Sequence, residues 1–281
     1  MGIANEVYIG VPESVPRSSI ACLDGMAGLE ALWPCAYPDG FMKNLLTQPN
    51  SYTGRAFRNP AMSLTPGVMD YDRREVQAVE MPASGGVGTA RAIATMYRAV
   101  ERVINSGLDD DGSDGKTTDN NPLGLSRKFL VDILSSPAKP GRSNGWIDEV
   151  FGVELCMGAG MLLPSPPDLQ DDTTDDGGGR FFCAPGRFSF GTSGAGGGFG
   201  YCDVDAEIAY SYVMNRCGQL IVDDPREFAL RDKVYEAVQR IQRREEGGPR
   251  DDEVPDYPKR SPPHYLSNRY MKAHPELYPL A

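Results

Sequence analysis

The chain has 281 residues, 40% of them hydrophobic and 9% aromatic, enough to bury one large core or two moderate ones and too much for a wholly disordered polymer. Its net charge of -11 argues against nucleic acid and anionic membrane as partners, since both demand a basic stripe to neutralise phosphates. Much of the acidity falls in "LDDDGSDGKTTDNN" (108–121) and "DLQDDTTDDGGG" (168–179), which read as solvated loops. Neither run has the ligand order of an EF-hand, so no calcium site is assigned.

The opening "MGIANEVYIG" has no basic region followed by an apolar stretch, and Glu6 stands where N-myristoylation wants Ser or Thr. No run reaches the ~18 apolar residues of a membrane span. "GMAGLEALWP" and "DGFMKNLLTQP" read as short helices stopped by Pro34 and Pro49. "GTARAIATMYRAVERVINSG" is the clearest helix: Ile93, Met96, Tyr97, Val100, Val103 and Ile104 share one face, with Thr89 as N-cap and Gly107 as stop. "LSRKFLVDILSSP" is a further helix ending before Pro137.

From residue 146 the texture changes. "WIDEVFGVELCMGAGMLL" is apolar and β-branched enough for a strand, and "GFGYCDVDAEIAYSYVMNR" predicts a hairpin of Phe199–Asp203 and Ile208–Asn215. In "DDPREFALRDKVYEAVQRIQRREEGG", Asp224, Pro225 and Glu227 form a helix start. Leu230, Val234, Ala237, Val238 and Ile241 then predict the stripe that lies across the sheet. The rest is rich in proline and charge. The expected organisation is a mostly helical part (1–140), a part with the sheet strands, glycine-rich strand and closing helix (141–247), and a disordered tail (248–281).

Cys22, Cys35, Cys156, Cys183, Cys202 and Cys217 show no paired spacing, and His264 and His274 lie in the tail. Free thiols in a reducing compartment are expected, with no metal and no cofactor. A cytoplasmic location fits these features best.

The stretch "SFGTSGAGGGFGYCD" (189–203) is dense in glycine inside a strand-forming segment. Such bare backbone fits two situations: a substrate carbonyl lying against strand N–H groups, or a turn or bulge packed on another part of the chain. A phosphate-binding loop fits less well than either, because there is no GxxxxGK[ST] and Phe199 breaks the GxGxxG register. Gly191-Thr-Ser193-Gly-Ala195 lacks the final glycine of a GxSxG elbow, and no His or Lys is positioned by sequence to activate Ser193.

"FGTSGAGGGFGYCDVDAEIAYSYVMNR" (190–216) resembles the strand motif of the serine beta-lactamase-related proteins, the group of class C beta-lactamases and class VIII-type carboxylesterases. "MPASGGVGTARAIATMYRAV" (81–100) is similar to that group's P-A-x-x-G-x-G-T-A-R-x-x-A-x-x-Y helix, and "EVYIGVPES" (6–14) to its F-x-I-G-L-P-E segment. The resemblance, ordered over 6–245, implies an α+β, beta-lactamase/transpeptidase-like fold with an antiparallel sheet, a flanking C-terminal helix and a helical subdomain. The N-terminal strands and nucleophile helix are missing from this stretch.

It further implies that Thr192, Ser193 and Gly194 are the strand-motif triplet, with Thr192 in place of the usual basic residue, and that the N–H of Ala195 is an oxyanion donor. The nucleophilic SxxK and the YxN relay of such enzymes are absent. Ser136-Pro-Ala-Lys139 matches SxxK in letters, but its prolines deny it a helix interior. The expected partner is a small ester or amide substrate, once an N-terminal segment completes the site. A non-catalytic paralogue that binds a small molecule or a protein is the alternative.

Overall fold

The computed structural model describes residues 1–24, 41–58, 70–106, 121–138, 146–164, 188–194, 196–218 and 224–245. Outside them lie the 25–34 helix expected from sequence, nearly all of both acidic runs, Ala195, Lys139, Cys35, Cys183, both histidines and the tail.

The helices are α1 (Phe41–Thr47), α2 (Tyr52–Phe57), α3 (Arg74–Gln77), α4 (Ala90–Asn105), α5 (Arg127–Leu134) and α6 (Pro225–Glu245). The strands are β1 (Val7–Ile9), β2 (Gly86–Gly88), β3 (Ile147–Asp148), β4 (Val153–Glu154), β5 (Met157–Gly158), β6 (Met161–Leu162), β7 (Ser189–Ser193), β8 (Phe199–Asp203) and β9 (Ile208–Tyr212). β5 to β9 form one sheet in sequence order, antiparallel throughout.

Every residue of β8 is buried, and its side chains alternate between two cores. Cys202 joins Phe190, Tyr97, Val103, Ile104, Leu130 and Leu134 on the α4 and α5 side. Phe199 and Tyr201 join Leu155, Leu162, Ile208 and Tyr235 on the α6 side. Gly200 falls on the α4 side, where a Cβ would stand 2.7 Å from Tyr97 Cε2 and 3.1 Å from Ile93 Cγ2. The missing side chain lets α4 settle onto the strand.

α4 starts as the sequence predicts. Thr89 Oγ1 accepts the Ala92 N–H at 3.1 Å and donates to Glu6 Oε2 at 2.9 Å, tying the cap to the N-terminal segment. The Thr89 hydroxyl is the main cause that holds the Glu6 carboxyl below its ordinary pKa, and Arg91 adds to it. β1 and β2 pair at the same place, Val7 opposite Gly88, a pairing the sequence reading did not foresee.

Two expectations need correction. The segment 146–163 is not one strand: Gly152 and Gly160 take φ of 72° and 77°, Ala159 takes 53°, and these left-handed residues fold it into two tight hairpins. The buried stripe of α6 is also rotated. Leu230 and Ile241 are about half exposed, whereas Glu227, Arg231 and Tyr235 are buried, with Val234 and Val238 packed beside them.

The rotation works because the two charges are buried as a pair. Arg231 Nε lies 3.2 Å from Glu227 Oε1, one helical turn away, and its guanidinium sits 4.7 Å from the Phe199 ring centroid. Tyr235 stacks on Tyr201 at 6.3 Å and donates its hydroxyl to Asp203 Oδ2 at 2.7 Å. Replacing Glu227 by Ala removes the carboxylate from beside a buried cation and is expected to cost about 3–5 kcal/mol. A urea titration checks it, with Lys233→Ala on the exposed side of α6 as control, expected within about 0.5 kcal/mol of the parent.

Candidate active site

β7 carries Thr192 and Ser193 of the triplet expected from the sequence, and Gly194 follows directly after the strand. Its register, Thr192 opposite Gly200 and Ser193 opposite Phe199, puts Thr192 on the α4 face and Ser193 on the α6 face. Thr192 and Gly194 are exposed and Ser193 is half-buried. Beneath Thr192 lies Tyr97, whose hydroxyl bonds to the Thr192 backbone and approaches Met161 Sδ at 3.9 Å. Burial pushes the Tyr97 phenol up to about 12, so it stays protonated at neutral pH and cannot serve there as a base.

The glycines beyond β7 divide into two kinds. Gly196 and Gly197 take φ of 92° and 98°. A Cβ on Gly196 would meet Met214 Cε at 2.7 Å and Cys217 Sγ at 3.0 Å, and one on Gly197 would run into the Asp224 carboxylate. A Cβ on Gly191 would strike the Gly200 carbonyl. These positions are bare because the chain's own atoms fill the space. Gly194 and Gly198 differ: among the described residues, the nearest atom to a Cβ there is 3.9 Å away at both.

The loop is held by the start of α6. The Arg226 guanidinium donates to Gly196 O at 3.0 Å and to Arg216 O at 2.8 Å, and is gripped by Asp224 at 2.8 and 2.6 Å. Asp224 Oδ1 also accepts the Arg226 N–H at 3.0 Å, as the sequence predicts for an N-cap. Within the loop, the Gly194 N–H donates to Gly198 O at 2.8 Å, the Gly197 N–H to Gly194 O at 3.1 Å, and the Gly218 N–H to Gly196 O at 2.7 Å.

Among the described residues, no hydrogen bond joins the Ser193 hydroxyl to a His, a Lys or a carboxylate, while Lys128 and Lys233 are bound to Asp132 and Glu236. Ser136 follows the end of α5, and Ala138 bridges to Met157, so Ser136 does not open a helix. The described cysteines, Cys22, Cys156, Cys202 and Cys217, are free thiols. Burial raises Cys217 above its ordinary pKa, which keeps the thiol beside the glycine loop protonated and unreactive. Among the described residues no His, Cys, Asp and Glu side chains gather into a metal-binding group of three, and no helix is long and apolar enough to cross a membrane. The clamp by Asp224 and Arg226 was not foreseen, because in sequence those residues read only as a helix start.

Two solved structures share the fold over 83% of the chain. One is a family VIII carboxylesterase, at 23% identity and a TM-score of 0.52. The other is EstA from Arthrobacter nitroguajacolicus Rue61a, at 22% identity and a TM-score of 0.51. The fold is beta-lactamase-like. The chain spans about half the length of these structures, 47% and 50%. No protein-family model matches the sequence, and no curated protein matches it. The beta-lactamase-like sheet with its closing helix is thus present, as the ordered motifs led one to expect.

Two predictions follow from the geometry. Gly197→Ala is expected to cost at least about 2 kcal/mol from its left-handed backbone and the Asp224 clash, whereas Gly194→Ala and Gly198→Ala stay within about 0.5 kcal/mol of the parent in a thermal melt. The raised Tyr97 pKa means that the folded state holds this proton more tightly than the unfolded chain. The stabilisation is complete below the ordinary value of 10 and is lost as pH rises through about 12. Tyr97→Phe should therefore flatten the fall of stability across that window, measured as urea midpoints at each pH.

Proposed function

We propose that the chain forms the sheet and glycine-strand part of a serine hydrolase that transfers acyl groups from a small ester, amide or lactam through an acyl-enzyme. The nucleophile, its base and the proton relay are then supplied by polypeptide outside these 281 residues. The observation that carries this reading is that no atom of the described residues crowds Gly194 or Gly198, beside exposed Thr192 and half-buried Ser193. Packing explains the neighbouring glycines and leaves these two unexplained. A carbonyl can approach bare backbone there, and an N–H directed at its oxygen stabilises the charge that develops in the tetrahedral intermediate.

Thr192, Ser193 and Gly194 act in this reading as the wall of the acyl site, with the Ala195 N–H as one oxyanion donor. The second donor comes with the nucleophile. The 281-residue chain by itself is then inactive, since half an oxyanion hole without an activated serine gives no covalent intermediate.

A second reading, a non-catalytic paralogue that keeps the fold as a binding surface, has two observations in its favour. Thr192 cannot supply the positive charge usual at its position, and the Gly194 N–H is already taken by Gly198 O. The mass of the native polypeptide separates the readings, detected with an antibody to "HYLSNRYMKAHPELYPLA" (264–281). The hydrolase reading expects a band well above 30.6 kDa that hydrolyses p-nitrophenyl esters and is labelled by a serine-directed phosphonate. A band at 30.6 kDa without turnover overturns it and favours the paralogue. The purified 281-residue chain is expected to hydrolyse such esters no faster than its Ser193→Ala variant.

A further inference from the structure

All three nitrogens of the Arg226 guanidinium are in use. Nε donates to Asp224 Oδ1 at 2.8 Å, Nη1 to Arg216 O at 2.8 Å, and Nη2 to Gly196 O at 3.0 Å and Asp224 Oδ2 at 2.6 Å. Asp224 is buried and also accepts the Arg226 N–H, so the guanidinium is aimed by the first turn of α6 and by its cap together. The start of a helix needs only the cap. The two carbonyls at the far end of the side chain, 10 and 30 residues back in sequence, lie outside the helix and answer to a different need.

What Arg226 grips is the end of a series of peptide planes. Gly196 O, which also accepts the Gly218 N–H at 2.7 Å, belongs to the same planar trans peptide as the Gly197 N–H. That N–H donates to Gly194 O at 3.1 Å. Gly194 O in turn shares its peptide with the N–H of Ala195, so whatever turns that carbonyl turns the N–H with it. Gly196 and Gly197, at φ of 92° and 98°, have no side chain to stiffen the turn, and its shape has to be imposed from outside. A cation on the first carbonyl also polarises the hydrogen bond that follows, making each next N–H a stronger donor.

We propose that Arg226 is a positioning residue for acyl transfer, setting the direction and strength of the Ala195 oxyanion donor through the Gly196–Gly197 and Gly194–Ala195 peptides without touching the substrate. This rests on the hydrolase reading above. Lysine cannot take over the role, because a single ammonium does not span the Asp224 carboxylate, Arg216 O and Gly196 O as a planar fork does.

The test uses the native full-length polypeptide, with the segment that carries the nucleophile, and p-nitrophenyl esters. Arg226→Lys keeps the charge and is expected to lower kcat and kcat/KM together, about ten- to a hundredfold, with KM within about threefold of the parent, as for an interaction made only in the transition state. Tyr235→Phe controls for the seating of α6. It removes the hydrogen bond to Asp203, about 14 Å farther along the helix, and is expected to keep kcat within about twofold, with urea midpoints measured for both variants. If the parent turns over esters and Arg226→Lys keeps its kcat, the positioning role alone is overturned. A rise in KM at constant kcat overturns it as well, since that marks a ground-state contact with substrate, and so does an equal loss of kcat in Tyr235→Phe. A parent without turnover overturns the hydrolase reading and this inference together.

Discussion

β8 is buried on both faces and paired on both edges, and that double burial sets the terms for the rest of the structure. A strand in this position must offer two different surfaces at a spacing of two residues. Its α6 surface is aromatic, Phe199 and Tyr201, with Asp203 held by Tyr235. Its α4 surface is small, Gly200 and Cys202, so that Tyr97 and Ile93 come down onto the backbone. The placement of β7 follows, since it pairs with β8 along its whole length, and with it the exposure of Thr192.

The buried ions on α6 belong to the same constraint. Glu227 and Arg231 occupy the face turned to the sheet, where an apolar pair of similar size would avoid the desolvation cost. The guanidinium recovers part of that cost from its carboxylate partner and from the ring beneath it. One turn earlier the same helix spends its N-terminal residues on the glycine loop, through Asp224 and Arg226. Helix seating and loop shape are therefore mechanically linked.

Much of this was legible in the sequence, for physical reasons. The Thr89 cap and the 3.6-residue period marked α4, the Asp-Pro start marked α6, and alternating apolar residues around an acidic turn marked the β8–β9 hairpin. The rest failed where a local rule met a tertiary one. Apolar residues at 146–163 promised one strand, but left-handed backbone at Gly152, Ala159 and Gly160 is set by hairpin closure, which periodicity does not register. The stripe on α6 was placed on Leu230 and Ile241 because charges are normally left out of a core, and a paired Glu–Arg breaks that rule. At the site, the glycine-rich strand could be located, but not the division between glycines that the chain crowds and glycines that the described residues leave uncrowded.

That division bears on how long such a motif endures. Gly191, Gly196, Gly197 and Gly200 are required by contacts within the folded chain, whatever happens at Gly194 and Gly198. A lineage that lost its nucleophile would still be held to most of the glycine pattern, because a side chain at those positions clashes with the folded chain and costs it stability. The pattern is thus a record of architecture, and inheritance of chemistry has to be sought at the two positions that the described residues leave uncrowded.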